Sequence, residues 1–261
     1  MRCLVNMRAR PVPTLGIVLV LMSGACASSE RSVRAAKRSD SQLSLAQKLM
    51  EQQRYAEALS HADLAIKESR KNPDAFLTRG QIEFMRAEYA VAIEDFTTAR
   101  RYRPAFTEAL SWRAWAYIES GDLKAAEADY REGLEDRTYL SPEKLHLNLA
   151  LLLYRQGRDA EGLAELKSAV RASPAYFRGH YELGKALDKN GDVTGALASY
   201  EAAIGGMKDS ADLNLRLAIA FEKTGDGGRA REHFKRVLEI SPDGPEASTA
   251  RDHLKRLEAS S

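Results

Sequence analysis

Cysteine is almost missing from this 261-residue chain: Cys3 and Cys26 are its two copies, and both precede residue 27. The body of the chain therefore has no disulfide framework and no cysteine metal site. No apolar run reaches the roughly 18 residues of a membrane-spanning helix. Neither charge sign is in excess, with 39 Lys and Arg against 37 Asp and Glu and a formal charge of +2. Phosphate contacts need a basic surplus, so nucleic acid is not an expected partner. What is present, 44% hydrophobic and 29% charged residues, suits a folded body and argues against wholesale disorder.

Recognisable chemistry is also scarce. No serine or cysteine has a nucleophile motif around it. Gly225-Asp226-Gly227-Gly228 looks like a phosphate loop, but no strand precedes it. His61, His146, His180, His233 and His253 form no H-x₃-H pair. His146 and His180 recur at one repeat position, yet two histidines without a third ligand make a poor metal site. Arg100, Arg101 and Arg103 are placed to close a helix, where cations complement the dipole. The expectation is a non-enzyme without cofactor, metal or small-molecule substrate, whose mechanism is binding.

The N-terminus has the order of an export signal. Arg2, Arg8 and Arg10 form a basic segment, Leu15 to Met22 a short apolar one, and small residues follow from Ser23 to Ser28. Two processing sites compete. Ala25-Cys26-Ala27 fits ordinary signal peptidase, whereas Gly24-Ala25-Cys26 resembles the end of a bacterial lipobox, with Ser23 where Leu is usual. A lone free thiol in an exported protein favours the second, which makes residues 1–25 a lipoprotein signal and Cys26 the lipidated residue. Acyl chains contribute about 0.8 kcal/mol per buried CH₂, enough for two or three to hold a soluble domain at a membrane. Residues 26–38 then read as the lipidated cysteine and a flexible tether. Ala27, rather than Asp, after the cysteine favours the outer membrane by resemblance to other lipoproteins. The alternative is a soluble periplasmic protein cleaved at Ala27.

From Ser39 a period of 34 residues sets in. Copies start at Ser39, Pro73, Thr107, Glu143, Phe177 and Ala211, and together they occupy 39–244. The eighth position is Ala46, Gly80, Ala114, Ala150, Gly184 and Ala218; the twentieth is Ala58, Ala92, Ala126, Gly162, Ala196 and Ala230. Small side chains in both columns are what two closely crossing helices require. The twenty-fourth position, Ala62, Phe96, Tyr130, Leu166, Tyr200 and Phe234, is large in five copies and fills the space beside the crossing. Gly121, Gly157, Gly191 and Gly225 mark the turn inside four units. Repeat two departs at Arg79 and Glu83, at sites that are usually bulky. Two extra residues at 137–143 suggest a bend between two three-repeat halves. Residues 245–261 hold a last helix, with Ala247, Ala250, Leu254 and Leu257 facing inward as a cap.

These columns resemble the tetratricopeptide repeat. The resemblance implies an all-α fold, a right-handed superhelical solenoid of six helix pairs with a C-terminal capping helix. It also implies a concave face lined by positions 2, 5, 9, 12 and 13 of each first helix. The apolar residues there are Leu43, Met50, Leu77, Phe84, Met85, Trp115, Ile118, Leu147, Leu151, Tyr154 and Tyr181, a candidate partner-binding groove. The competing reading is that some of them pack within the solenoid. Arg178, Lys185, Asp188, Lys189, Glu222 and Lys223 make the far end polar. The Lys and Asn that co-chaperones use at positions 5 and 9 to hold acidic tails are missing, so an amphipathic helix or an apolar strand suits the groove better.

Tyr139-Leu140-Ser141-Pro142-Glu143, followed by Asn148-Leu149-Ala150-Leu151, is similar to a linker in the PilF/PilW/Tgl family of type IV pilus pilotins. Length, lipobox-like start and repeat number resemble that family too. The resemblance implies an outer-membrane lipoprotein, anchored through Cys26, that binds a secretin subunit and assists assembly of the secretin ring. A generic periplasmic scaffold or adaptor for envelope or polysaccharide assembly is the alternative.

Overall fold

The structure, a computed structural model, describes residues 16–259, with side chains from residue 30 onward. Among the described residues there are thirteen helices and no strand. Twelve helices form consecutive antiparallel pairs: α1 (Gly16–Glu51) with α2 (Tyr55–Glu68), α3 (Pro73–Met85) with α4 (Tyr89–Tyr102), and α5 (Thr107–Ser120) with α6 (Leu123–Glu135). The remaining pairs are α7 (Pro142–Arg155) with α8 (Asp159–Ala172), α9 (Phe177–Lys189) with α10 (Val193–Met207), and α11 (Ala211–Lys223) with α12 (Gly227–Ile240). Helix α13 (Ala247–Ala259) lies on α12, with Ala247 and Ala250 buried and Leu254 and Leu257 against the core. Four of the expected repeat starts are the first residues of α3, α5, α9 and α11, and α7 begins one residue early. Pro73 and Pro142 occupy the first helical turn, where a missing N–H costs nothing.

The chain divides into two compact units, residues 1–104 with α1–α4 and residues 105–261 with α5–α13. The division follows repeat two and not the insertion at 137–143. Within the second unit α6 packs on α7 across that insertion. Asp136 absorbs the extra residues: its carboxylate accepts from Thr107 Oγ1 at 2.6 Å, Thr138 Oγ1 at 2.6 Å and Thr138 N at 2.9 Å.

The small columns hold each pair together. Ala46, Ala114, Ala150 and Ala218 are fully buried, as are Ala58, Ala92, Ala126, Ala196 and Ala230. Where the eighth residue is glycine, the ring at position twenty-four occupies the space of its missing side chain. A Cβ on Gly80 would meet the Phe96 ring at 2.6 Å, and one on Gly184 would collide with Tyr200. Both rings are fully buried and cannot swing away.

Bonds between the two helices of a unit explain the irregular residues. Arg79 donates to Asp95 of its own pair at 2.8 and 2.6 Å, and also to Asp63 of the preceding pair at 2.9 Å. One repeat later Arg113 donates to Asp129 at 2.8 and 2.7 Å. The same acceptor position elsewhere serves His61 with Gln42 (2.7 Å), Glu165 with His146 (2.6 Å) and His233 with Asn214 (2.9 Å). His180 meets the Pro174 carbonyl and His253 meets Glu222, so the histidines engage separate partners within the fold. Among the described residues no three metal-ligating side chains converge.

The turn at the fifteenth position is left-handed in all six units, at Gly121, Gly157, Gly191 and Gly225 but also at Gln53 (φ 59°) and Ala87 (φ 62°). An L-residue in this region is strained by roughly 1–2 kcal/mol, which glycine avoids at some cost in unfolded-state entropy. Ala87→Gly is expected to stabilise the chain by about 0.5–1 kcal/mol, read as a higher denaturant midpoint at unchanged slope.

Residues 27–38 differ from the expected flexible tether, because they belong to α1. Glu30 and Arg34 pair one turn apart at 3.0 Å, Ala35 and Ala36 favour helix, and the helix is held further along by Arg38 on Glu68 (2.7 Å) and Ser39 Oγ on the Ala65 carbonyl (2.8 Å). The expected signal falls partly on residues 1–15, outside the described residues, as does the side chain of Cys26.

Candidate functional site

The eleven groove residues fall into three groups. Leu43, Leu77 and Leu147 are core, exposed by 9%, 7% and 1%. They share position five, the side of the first helix turned toward the next unit. Leu43 packs with Ala65 and Ala75, and Leu147 with Ala150, Leu166 and Leu183. These three are unavailable to a partner, which corrects the expectation for them. Met50, Tyr154 and Tyr181 are half-buried and lean on the core clusters. The Tyr181 hydroxyl is already committed to Asp212, whose carboxylate also holds Arg216 at 2.7 Å.

The remaining five reach the surface. In the first unit these are Met85, exposed, and Phe84, half-buried with its ring 5.5 Å from Tyr89. In the second unit they are Trp115 and Leu151, exposed by 40% and 37%, and half-buried Ile118. Position nine of two successive first helices supplies Trp115 and Leu151, so stacking the units sets them side by side. Trp112 meets Trp115 edge-on, ring centres 5.6 Å apart, and limits how the indole can turn.

Between Trp115 and Leu151 lies a cavity of about 260 Å³. Ile118 and Leu152 line it, Tyr130 contributes from α6, and Asn148, Glu119, Arg155 and Arg178 bring polar groups to it. Tyr130 is fully buried beneath Trp115. Burial drives that phenol far above its ordinary range, so it stays protonated. A second cavity of about 470 Å³ shares Trp115 and Asn148 with the first, and a third of about 280 Å³ shares Leu151. Three adjoining hollows thus follow the first helices of units three to five, with Trp115 and Leu151 as the ridges between them.

Charges around this face are mostly cancelled. Lys185 pairs with Glu182 (2.9 Å), Lys189 with Asp159 (2.6 Å) and Lys223 with Asp188 (3.1 Å). The lysines of the polar far end of the expected groove are therefore held in ion pairs within the fold. Sequence reasoning chose apolar residues and passed over Asn148 and Arg155. The signal that could have found Arg155 was its own position thirteen, one of the face-lining positions.

The family model for the tetratricopeptide repeat matches residues 43–96, 77–141, 115–177, 147–208 and 181–245. The crystal structure of PilW, described as a widely conserved type IV pilus biogenesis factor, superposes with a TM-score of 0.68 at 23% identity, over 81% of this chain and 97% of that one. PilF of Pseudomonas aeruginosa superposes with a TM-score of 0.74 at 15% identity, over 84% of this chain and 99% of that one. The DnaJ homolog subfamily C member 7 homolog of Dictyostelium discoideum is 21% identical over 224 residues, 79% of this chain and 41% of the relative. The chain spans less than half the length of the curated relatives it matches. Repeats of this kind generally serve as non-catalytic scaffolds for protein–protein contact. With its period, its helix pairs and its matched residues in agreement, the chain belongs to the tetratricopeptide-repeat family.

Proposed function

We propose that this chain is a non-catalytic protein-binding module, anchored to the outer membrane through Cys26, that acts as a pilotin for a type IV pilus secretin. The observation that carries the binding half is the exposed pair Trp115 and Leu151 flanking a cavity on the first-helix face. Exposed aromatic and aliphatic side chains beside a hollow are what interface anchors look like. The likeness of fold to PilW and PilF over nearly the whole of those chains supports the pilus assignment. On this reading the face holds an apolar segment of a secretin subunit until insertion, and the lipid determines where the ring assembles. Neither half suffices alone, because binding without an anchor gives no address.

Deleting the gene should convert secretin from heat-resistant multimers to monomers, with pili lost. Cys26→Ser should move the protein from the membrane pellet to the soluble fraction and reproduce the loss of outer-membrane multimers. Normal multimers in the deletion strain would leave the scaffold reading in place of the pilotin one. Wild-type protein that is soluble after lysis without detergent would remove the anchor.

A further inference from the structure

Arg155 and Arg178 differ from the lysines at the polar end of this face. Lys185, Lys189 and Lys223 are each held by an acid, whereas neither arginine makes an ion pair among the described residues. Both are exposed, and both border the cavity beside Trp115 and Leu151. They come from different units, Arg155 from the end of α7 and Arg178 from the start of α9, and both line one hollow. Glu119 is the single carboxylate lining it, which leaves the hollow with a net positive charge. At about 260 Å³ the cavity is below the ordinary range for small-molecule sites, roughly 300–1,000 Å³, and matches one large side chain.

We propose that this cavity is a specificity site for a peptide that carries an apolar side chain beside a carboxylate. The side chain enters between Trp115 and Leu151, and the carboxylate is held by Arg155 and Arg178. Guanidinium groups recognise carboxylates through paired, geometrically fixed donors, and a charge match at an interface acts mainly on specificity and encounter rate. The carboxylate is that of an Asp or Glu next to an apolar residue inside the partner's chain, since the Lys and Asn that hold a free acidic tail are missing here; a free C-terminus is the competing outcome of the test. These arginines stand at position thirteen of repeat four and position two of repeat five. The site therefore differs from the Lys and Asn arrangement of acidic-tail clamps, which this chain lacks. The inference rests on the reading that this face binds a protein segment, and it adds the chemistry of that segment.

The chain's two tryptophans, Trp112 and Trp115, lie together at this site, so intrinsic fluorescence reports on it. The full chain in detergent is titrated with three synthetic peptides: acetyl-GSGSF with a free C-terminus, the same peptide as its C-terminal amide, and acetyl-GSGSFDGS-amide. A saturable fluorescence change is expected with the internal-Asp peptide, at least tenfold tighter than with the acetyl-GSGSF amide. Tighter binding of the free-terminus peptide than of the internal-Asp peptide would overturn the assignment to an internal acid. Arg155→Gln with Arg178→Gln should abolish that preference. Circular dichroism confirms the fold of that variant. Equal affinity for all three peptides, no response up to millimolar peptide, or an undiminished preference in the double variant would overturn the proposal. The secretin multimer assay is independent: multimers that still depend on the protein while no carboxylate peptide binds would sink this inference and spare the pilotin reading.

Discussion

Arg113→Met is expected to destabilise the chain by about 3 kcal/mol or more, although methionine keeps much of the volume and the position is one of many on a helix face. The size of the effect comes from what is left behind. Asp129 is buried, with its side chain 7% exposed, and both its oxygens receive hydrogen bonds from the Arg113 guanidinium. Without the arginine, a nearly buried carboxylate is left without its charge partner and with both oxygens short of their hydrogen-bond donors. The double variant Arg113→Met, Asp129→Leu removes the charge with its partner and should return to within about 1 kcal/mol of the parent. Urea or guanidinium midpoints at constant slope measure both. A loss well under 1 kcal/mol in the single variant would mean that Asp129 finds water or another donor on its own. Arg79 and Asp95 repeat the arrangement one unit earlier, but Asp63 provides Arg79 with a second acid, so the equivalent double variant still leaves one carboxylate without its partner.

How much of this was legible in the sequence differs from level to level. The repeat starts were legible because Pro73, Thr107, Phe177 and Ala211 each follow a turn and open a helix whose eighth residue is small. The ring-on-glycine contacts of Phe96 with Gly80 and Tyr200 with Gly184 were implied by two columns read together. Arg79 looked like a departure, because its acid lies sixteen residues on, in the other helix of the pair, a distance that a within-helix pattern does not test. The left-handed turns at Gln53 and Ala87 were hidden for a related reason. Geometry imposed by four glycine-bearing units extends to two units whose residues do not advertise it. The groove was legible by position but not by burial. Position five and position nine both lie on the first helix, yet stacking buries Leu147 and leaves Leu151 at the surface, and that depends on the neighbouring unit. Residues 27–38 carried a composition that suits a tether, while the structure places them within α1.

Trp115→Glu is expected to weaken binding to the protein partner at least thirtyfold while leaving the helical content unchanged. A central aromatic anchor contributes about 2 kcal/mol or more, and each 1.4 kcal/mol is a factor of ten. Trp115 is the ridge shared by two cavities, so its loss removes the wall of both, and the new carboxylate stands close to Glu119 on the same face. The fold should tolerate the change better than at its neighbours, because the indole is 40% exposed whereas Leu149, Leu152 and Leu153 below it are buried. Phe84 is a poorer choice for the same experiment. Its ring is half-buried against Tyr89, and a charge there would confound lost binding with lost stability. Leu140→Glu is the matching control: Leu140 is 95% exposed and lines none of the three cavities, so its variant should bind as the parent does. If the face acts as proposed, cells carrying Trp115→Glu at normal protein levels should show secretin monomers and few pili, and those carrying Leu140→Glu should not. Normal multimers with Trp115→Glu would place the partner contact elsewhere on the chain, with Met85 in the first unit the next side chain to change.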